Sequence, residues 1–146
     1  MPNSLFHPSG RLWAARLLVG LVLLVNLECA LAFLWAPQRY AAGFEVQGAA
    51  GEAVVRGFGV LFVMWNVPYA VAAWHPVRRR VSLGEATVMQ AIGLLGESLL
   101  LWGLPPGHEA LRETAMRFIR FDGAGLALLL VAIWLAGGRP KAVPDR

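Results

Sequence analysis

The stretch Leu12–Trp35, "LWAARLLVGLVLLVNLECALAFLW", decides the fold. It exceeds the ~20 residues an α-helix needs to cross a hydrocarbon core about 30 Å thick. A cleaved secretory signal is the competing reading, since "CALA" offers small residues at the right end. Signal cores run to about 7–15 apolar residues, however, and this run is longer and carries Asn26 and Glu28. "NLEC" is no lipoprotein cleavage site either, because a charged residue stands before the cysteine. The segment reads as a retained span. It also places a carboxylate inside an apolar helix, at a cost of roughly 2.5 kcal/mol or more if it reaches the bilayer centre. Glu28 therefore needs a partner or a task.

Working outward, three further apolar runs of similar length follow, giving spans of about 12–35, 53–74, 82–104 and 118–137. Pro37, Pro76 and Pro105-Pro106 close the first three, and Gly137-Gly138 with Pro140 closes the last. Trp13, Trp35, Trp74, Trp102 and Trp134 lie near span ends, where indole rings favour the headgroup level. Of the 146 residues, 58% are hydrophobic and only 15% charged, against about 25% charged in an ordinary soluble domain. The mean hydropathy is +0.57. A water-soluble domain this small buries only about two thirds of its surface and could not hide so much apolar area. The expected fold class is all-α: an integral membrane four-helix bundle in one transmembrane domain, residues 1–146, with the lipid bilayer as its first partner.

The net charge of +4 could point to nucleic acid, but the cations sit in short clusters between the apolar runs. That placement fits membrane topology and not a nucleic-acid face. Arg11 and Arg16 flank the first span, Arg78–Arg80 fill the middle connection, and Arg139, Lys141 and Arg146 follow the last span. The other two connections hold Arg39 and Arg112, with Arg56 and Arg117 just inside the neighbouring spans. The positive-inside rule puts both termini and the middle connection in the cytoplasm, as expected of a multi-pass protein of the cell inner (cytoplasmic) membrane. The first outward connection, "APQRYAAGFEVQGAAGE", is long for a helical bundle, and long connections often carry function. A lone Cys29, scattered His7, His75 and His108, and the lack of HExxH, paired CxxC, GxSxG or a phosphate-binding glycine loop assign no enzymatic activity, metal or cofactor.

The polar residues inside the spans divide by how easily structure explains them. Ser82 and Glu85 in "SLGE" have the spacing of a capping box. Arg117 and Arg120 lie near the start of the last span, where arginines snorkel, and Glu109, Glu113 and Arg117 recur every four residues as on an interfacial helix. Pro68 in "MWNVPYA" predicts a kink whose freed backbone Asn66 or Tyr69 could satisfy. Glu28 and Glu97 each precede a span end by seven residues, which sets both about 11 Å below it. Ala86, Gln90, Gly93 and Glu97 form one helix stripe, and Arg56, Gly59, Val63, Asn66 and Ala70 another. The predicted candidate ligand-binding set is Glu28, Arg56, Glu97 and Asp122 at one outer level, with Arg120 beside them and Asn66 and Gln90 deeper. Glu28 is expected to face the bundle interior within reach of Arg56, leaving Asn26 at a helix edge or homodimer contact. Such a set fits a proton- or ligand-binding site, and equally an ion-pair network that only fixes helix packing.

The first span's "ARLLVGLVLLV" (Ala15–Val25) and the last span's "FDGAGLALLLVAI" (Phe121–Ile133) resemble the opening and closing patterns of DoxX-like membrane proteins. "GEAVVRGFGVLF" (Gly51–Phe62) is similar to that family's second span. The resemblance implies a four-helix bundle linked to membrane redox or quinone-coupled chemistry, often as an accessory subunit, and carries over no catalytic residue. Three functions are compatible with these features. One is a DoxX-like protein that binds a small lipophilic or quinone-like ligand or supports a partner membrane enzyme. The second is a proton-coupled small-solute or ion transporter, which with four spans would act as a homo-oligomer. The third is a structural or assembly subunit.

Overall fold

A computed structural model describes residues 8–137 of the chain. Arg139, Lys141, Arg146 and His7 lie outside the described residues. Five α-helices run in order: α1 (Pro8–Trp35), α2 (Gly48–Trp65), α3 (Val67–Trp74), α4 (Arg80–Gly103) and α5 (Glu109–Ala136). Helices α2 and α3 form one interrupted span, so four helical stretches are long and apolar enough to cross a membrane. No strand occurs among the described residues. The ends of α1 and α4 and the starts of α2 and α5 form the loop end of the bundle. The opposite, terminal end holds Pro8, Trp74, Arg80 and Ala136.

Large apolar side chains cover the outside. Leu17 is 69% exposed, Leu24 66% and Trp102 86%, far more apolar surface than a water-soluble monomer displays. Inside, the terminal half is packed from small and branched residues, among them Ala15, Val19, Val22, Ala72, Ala86, Leu129 and Ala132. Small side chains let helix backbones approach closely, which replaces the hydrophobic drive that is missing between apolar helices in lipid. Three arginines finish this end by donating to last-turn carbonyls that have no partner in their own helix. Arg16 reaches Ala73 O at 3.3 Å, Arg80 reaches Ala136 O at 3.2 Å, and Arg11 reaches Trp134 O at 3.3 Å. Arg16 also lies over the Trp13 ring, 4.5 Å from its centroid.

The break between α2 and α3 falls at Asn66, two residues before Pro68. Proline has no N–H for the Met64 carbonyl, but it is well placed in the first turn of the new helix α3. Asn66 Nδ2 donates to Phe62 O at 2.7 Å, a carbonyl that also accepts the Asn66 backbone N–H, and Tyr69 donates to Gln90, so neither side chain satisfies the freed Met64 carbonyl. The interruption has a large consequence for packing. Helix α3, in the terminal half, packs against α4, whereas α2, in the loop half, makes no comparable contact with it. A gap opens there between α2 and α4.

Several sequence expectations differ from this fold. Helix α2 starts at Gly48, five residues before the expected span, and α5 starts at Glu109, so the interfacial turns read from Glu109, Glu113 and Arg117 are continuous with the last span. Ser82 and Glu85 form no capping box: α4 begins two residues sooner, with Arg79 as N-cap and no side-chain cap bond. The expected stripe on the second span is only partly buried. Gly59 and Asn66 face inward, beside Val55, while Arg56, Val63 and Ala70 are exposed.

Candidate functional site

The loop half of the bundle encloses a cavity of about 320 Å³ between α1, α2, α4 and α5. Its walls are aromatic. Phe33 from α1 packs 5.8 Å from Phe62 of α2 and 6.3 Å from Phe118 of α5, centroid to centroid. Phe44, from the first connection, adds its ring 5.7 Å from Phe33. These spacings lie within the range of favourable aromatic pairs, so the cage is held by its own rings. The floor is polar and sits near the midpoints of α4 and α5. Tyr69 donates its hydroxyl to Gln90 Oε1 at 2.6 Å, and Gln90 Nε2 donates to Asp122 Oδ1 at 2.7 Å. Asn66, Asn26 and Glu97 also line the cavity, with Cys29 beside them on α1.

Two glycines make the Gln90–Asp122 crossing feasible. A Cβ on Gly93 would stand 2.5 Å from Asp122 Oδ2, and one on Gly125 would stand 2.7 Å from Gln90 Nε2. Each helix thus presents bare backbone where the other's polar side chain crosses, which is the close approach that glycine permits.

The first connection closes the loop end. It folds as two 3-10 turns, Pro37–Arg39 and Ala41–Phe44, and ends at Glu45 in the left-handed region with φ 55°. A left-handed non-glycine residue is held there by its surroundings. Its carboxylate lies 2.5 Å from His108 Nδ1 and accepts from the Leu111 N–H at 3.3 Å, in the first turn of α5. The His108 hydrogen bond first, and the Leu111 N–H after it, hold the Glu45 carboxyl below its ordinary value. Thr114 donates to Gly43 O at 2.7 Å, and Arg117 Nη2 donates to Thr114 Oγ1 at 3.0 Å. The connection is therefore fastened to α5 at both Gly43 and Glu45, and Phe44 between them faces the cavity.

Of the six residues predicted from sequence, Asn66, Gln90, Glu97 and Asp122 line one cavity, whereas Glu28 and Arg56 do not. Glu28 is exposed on α1, in an outward stripe with Leu17, Leu21 and Leu24. Arg56 is exposed too, and its acidic neighbour is Glu52 at 3.9 Å. The expected Glu28–Arg56 pair is thus absent. The cost of one residue in lipid does not set the rotation of α1. The whole inward face, Val19, Val22, Asn26, Ala30 and Phe33, fixes that rotation and carries Glu28 outward. Asn26, expected at a helix edge, lines the cavity instead. Asp122 lies at the depth of Gln90 and not level with Glu28. Arg120 is exposed and away from the cavity, while Arg117, which looked like a snorkelling residue, lines its loop end. The aromatic cage was missed because phenylalanine in a membrane span reads equally as lipid-facing. The four-residue step from Phe58 to Phe62, with Asn66 the next step on, was the available signal.

Compared with protein-family models, curated proteins and solved structures, the chain has no significant match.

Proposed function

We propose that the chain is a multi-pass integral membrane protein that holds a small lipophilic molecule in its loop-half cavity. The observation that carries the reading is the combination of aromatic walls with a polar floor near mid-helix, left where Pro68 and Asn66 turn α2 away from α4. At about 320 Å³ the cavity falls at the lower end of small-molecule sites, which run to roughly 300–1,000 Å³ with mostly apolar linings and a few placed polar groups. The arginine clusters orient the chain with the terminal end in the cytoplasm and the loop end outside. The gap between α2 and α4 then faces the outer leaflet, so a membrane-dissolved ligand enters sideways while the fastened first connection screens the cavity from water. The resemblance of the first and last spans to DoxX-like proteins supports a role as an accessory subunit beside a membrane redox enzyme.

The test is extraction of the purified full chain and mass spectrometry of what it carries. The reading expects a lipophilic molecule near one per chain in wild type and its loss from Cys29→Trp, which fills the cavity from α1. A wild-type chain carrying only the lipid and detergent that coat its outer surface would refute it.

A further inference from the structure

The polar groups of the cavity floor are unbalanced, and the imbalance points to the chemistry of the ligand. Each donor group of the floor already makes one bond inside the protein, Tyr69 to Gln90, the Gln90 amide to Asp122 and the Asn66 amide to Phe62 O, which leaves one N–H on each amide. Acceptors remain. Asn66 is 4% exposed, and its Oδ1 is buried with no hydrogen-bond partner. A buried carbonyl oxygen of this kind calls for an N–H or O–H from elsewhere. The carboxylates of Asp122 and Glu97 also line the cavity. Among the described residues the ion pairs are Glu52–Arg56 and Glu45–His108, so neither of these acids has a cation within 4 Å. Asn26 offers two N–H donors and a carbonyl oxygen with two lone pairs, and leaves the balance unchanged. Arg117, the one cation of the lining among the described residues, donates to Thr114 at the loop end, beneath the first connection.

We infer that the ligand is a lipophilic organic cation, a protonated amine that donates its N–H groups to Asn66 Oδ1 and the Asp122 carboxylate. Its apolar body lies among Phe33, Phe44, Phe62 and Phe118. The same ammonium satisfies the unpartnered carbonyl, supplies a counter-charge to the acids and meets ring faces that attract cations. A quinone fits less well, because its two carbonyl oxygens would face a floor already rich in acceptors. A quinol brings donors but no charge. The inference rests on the reading that the cavity holds a small molecule, and it adds the charge and the hydrogen-bonding sense of that molecule.

The test is equilibrium binding to the full chain in lipid nanodiscs, with 4-phenylbutylamine, its neutral counterpart 4-phenylbutanol, and decylubiquinone in oxidised and reduced forms. Empty nanodiscs are subtracted to remove partition into lipid. The amine is expected to bind about tenfold or more tighter than the alcohol, the worth of a charge-assisted hydrogen bond. Asp122→Asn should erase that preference, bringing the amine affinity down to that of the alcohol in the same variant. Alcohol or either quinone form binding as tightly as the amine, or an amine affinity indifferent to Asp122→Asn, overturns the inference while the cavity reading stands. Failure of every probe to bind wild type overturns both. If Asp122→Asn does not fold, Glu97→Gln replaces it, because Glu97 makes no side-chain hydrogen bond among the described residues. A several-fold loss of amine affinity is expected there, and no change overturns the inference.

Discussion

Replacing Gly93 by alanine probes the tightest point of the polar floor. The new Cβ would stand 2.5 Å from Asp122 Oδ2, where non-bonded heavy atoms settle near about 3.5 Å. The carboxylate must move by about 1 Å, enough to take the 2.7 Å Gln90–Asp122 bond out of hydrogen-bonding range. Losing a bond to a charged group costs about 1.5–3 kcal/mol, and alanine returns about 1 kcal/mol through its better helix propensity. The net expectation is a destabilisation of about 0.5–2 kcal/mol. Gly96→Ala is the matched control: it lies on the same helix with nothing within 4 Å of its Cβ, and should be neutral or stabilising. Reversible unfolding in mixed micelles, followed by tryptophan fluorescence, measures both. In an Asp122→Ala background the obstruction is gone, so Gly93→Ala should become neutral or stabilising, with a coupling of at least about 1 kcal/mol. Equal effects of Gly93→Ala in the two backgrounds would refute the crossing as described.

Three further outcomes follow from the same geometry. Pro68→Ala restores the missing N–H, so the second span should straighten, α2 should close on α4 and ligand binding should fall with no loss of stability; unchanged binding would separate the cavity from the kink. Glu28→Leu should be neutral or stabilising, since Glu28 is exposed on the outer surface, whereas a broken buried pair would cost about 3–5 kcal/mol. The Glu45 carboxyl is held below its ordinary value of 4.5 by the His108 hydrogen bond and then the Leu111 N–H. Its hold on the first connection is therefore complete above that value and is lost as pH falls through the depressed one. Hydrogen exchange over residues 37–47 should rise at such acid pH, and Glu45→Gln should raise it at neutral pH; exchange indifferent to both would remove the latch.

The four long apolar helices were legible because length and hydropathy are properties that each segment carries alone. The tryptophans at the span ends, and the break at Pro68, are local in the same sense. Rotation and depth are not. Whether Glu28 or Asn26 faces inward depends on the summed preference of one helix face, and the level of Asp122 depends on where α4 lets its side chain in. Gly93 and Gly125 carry that information, but their meaning appears only once the two helices are packed together. Phe44 illustrates a third kind of silence. Its place in the cavity wall follows from Gly43 and Glu45 being fastened to a helix more than sixty residues away, at Thr114 and His108.

The central claim is an accessible cavity beside α1, opened by the break at Asn66, and the chain carries its own reporter. Cys29 is its single cysteine and lines that cavity. The rate of its reaction with N-ethylmaleimide in nanodiscs, for wild type and Pro68→Ala, tests the claim most directly. Wild type should label while folded, Pro68→Ala should label about tenfold more slowly or not at all, and both should label alike once unfolded. Equal rates in the two folded proteins, or a folded wild type that never labels, would contradict the account.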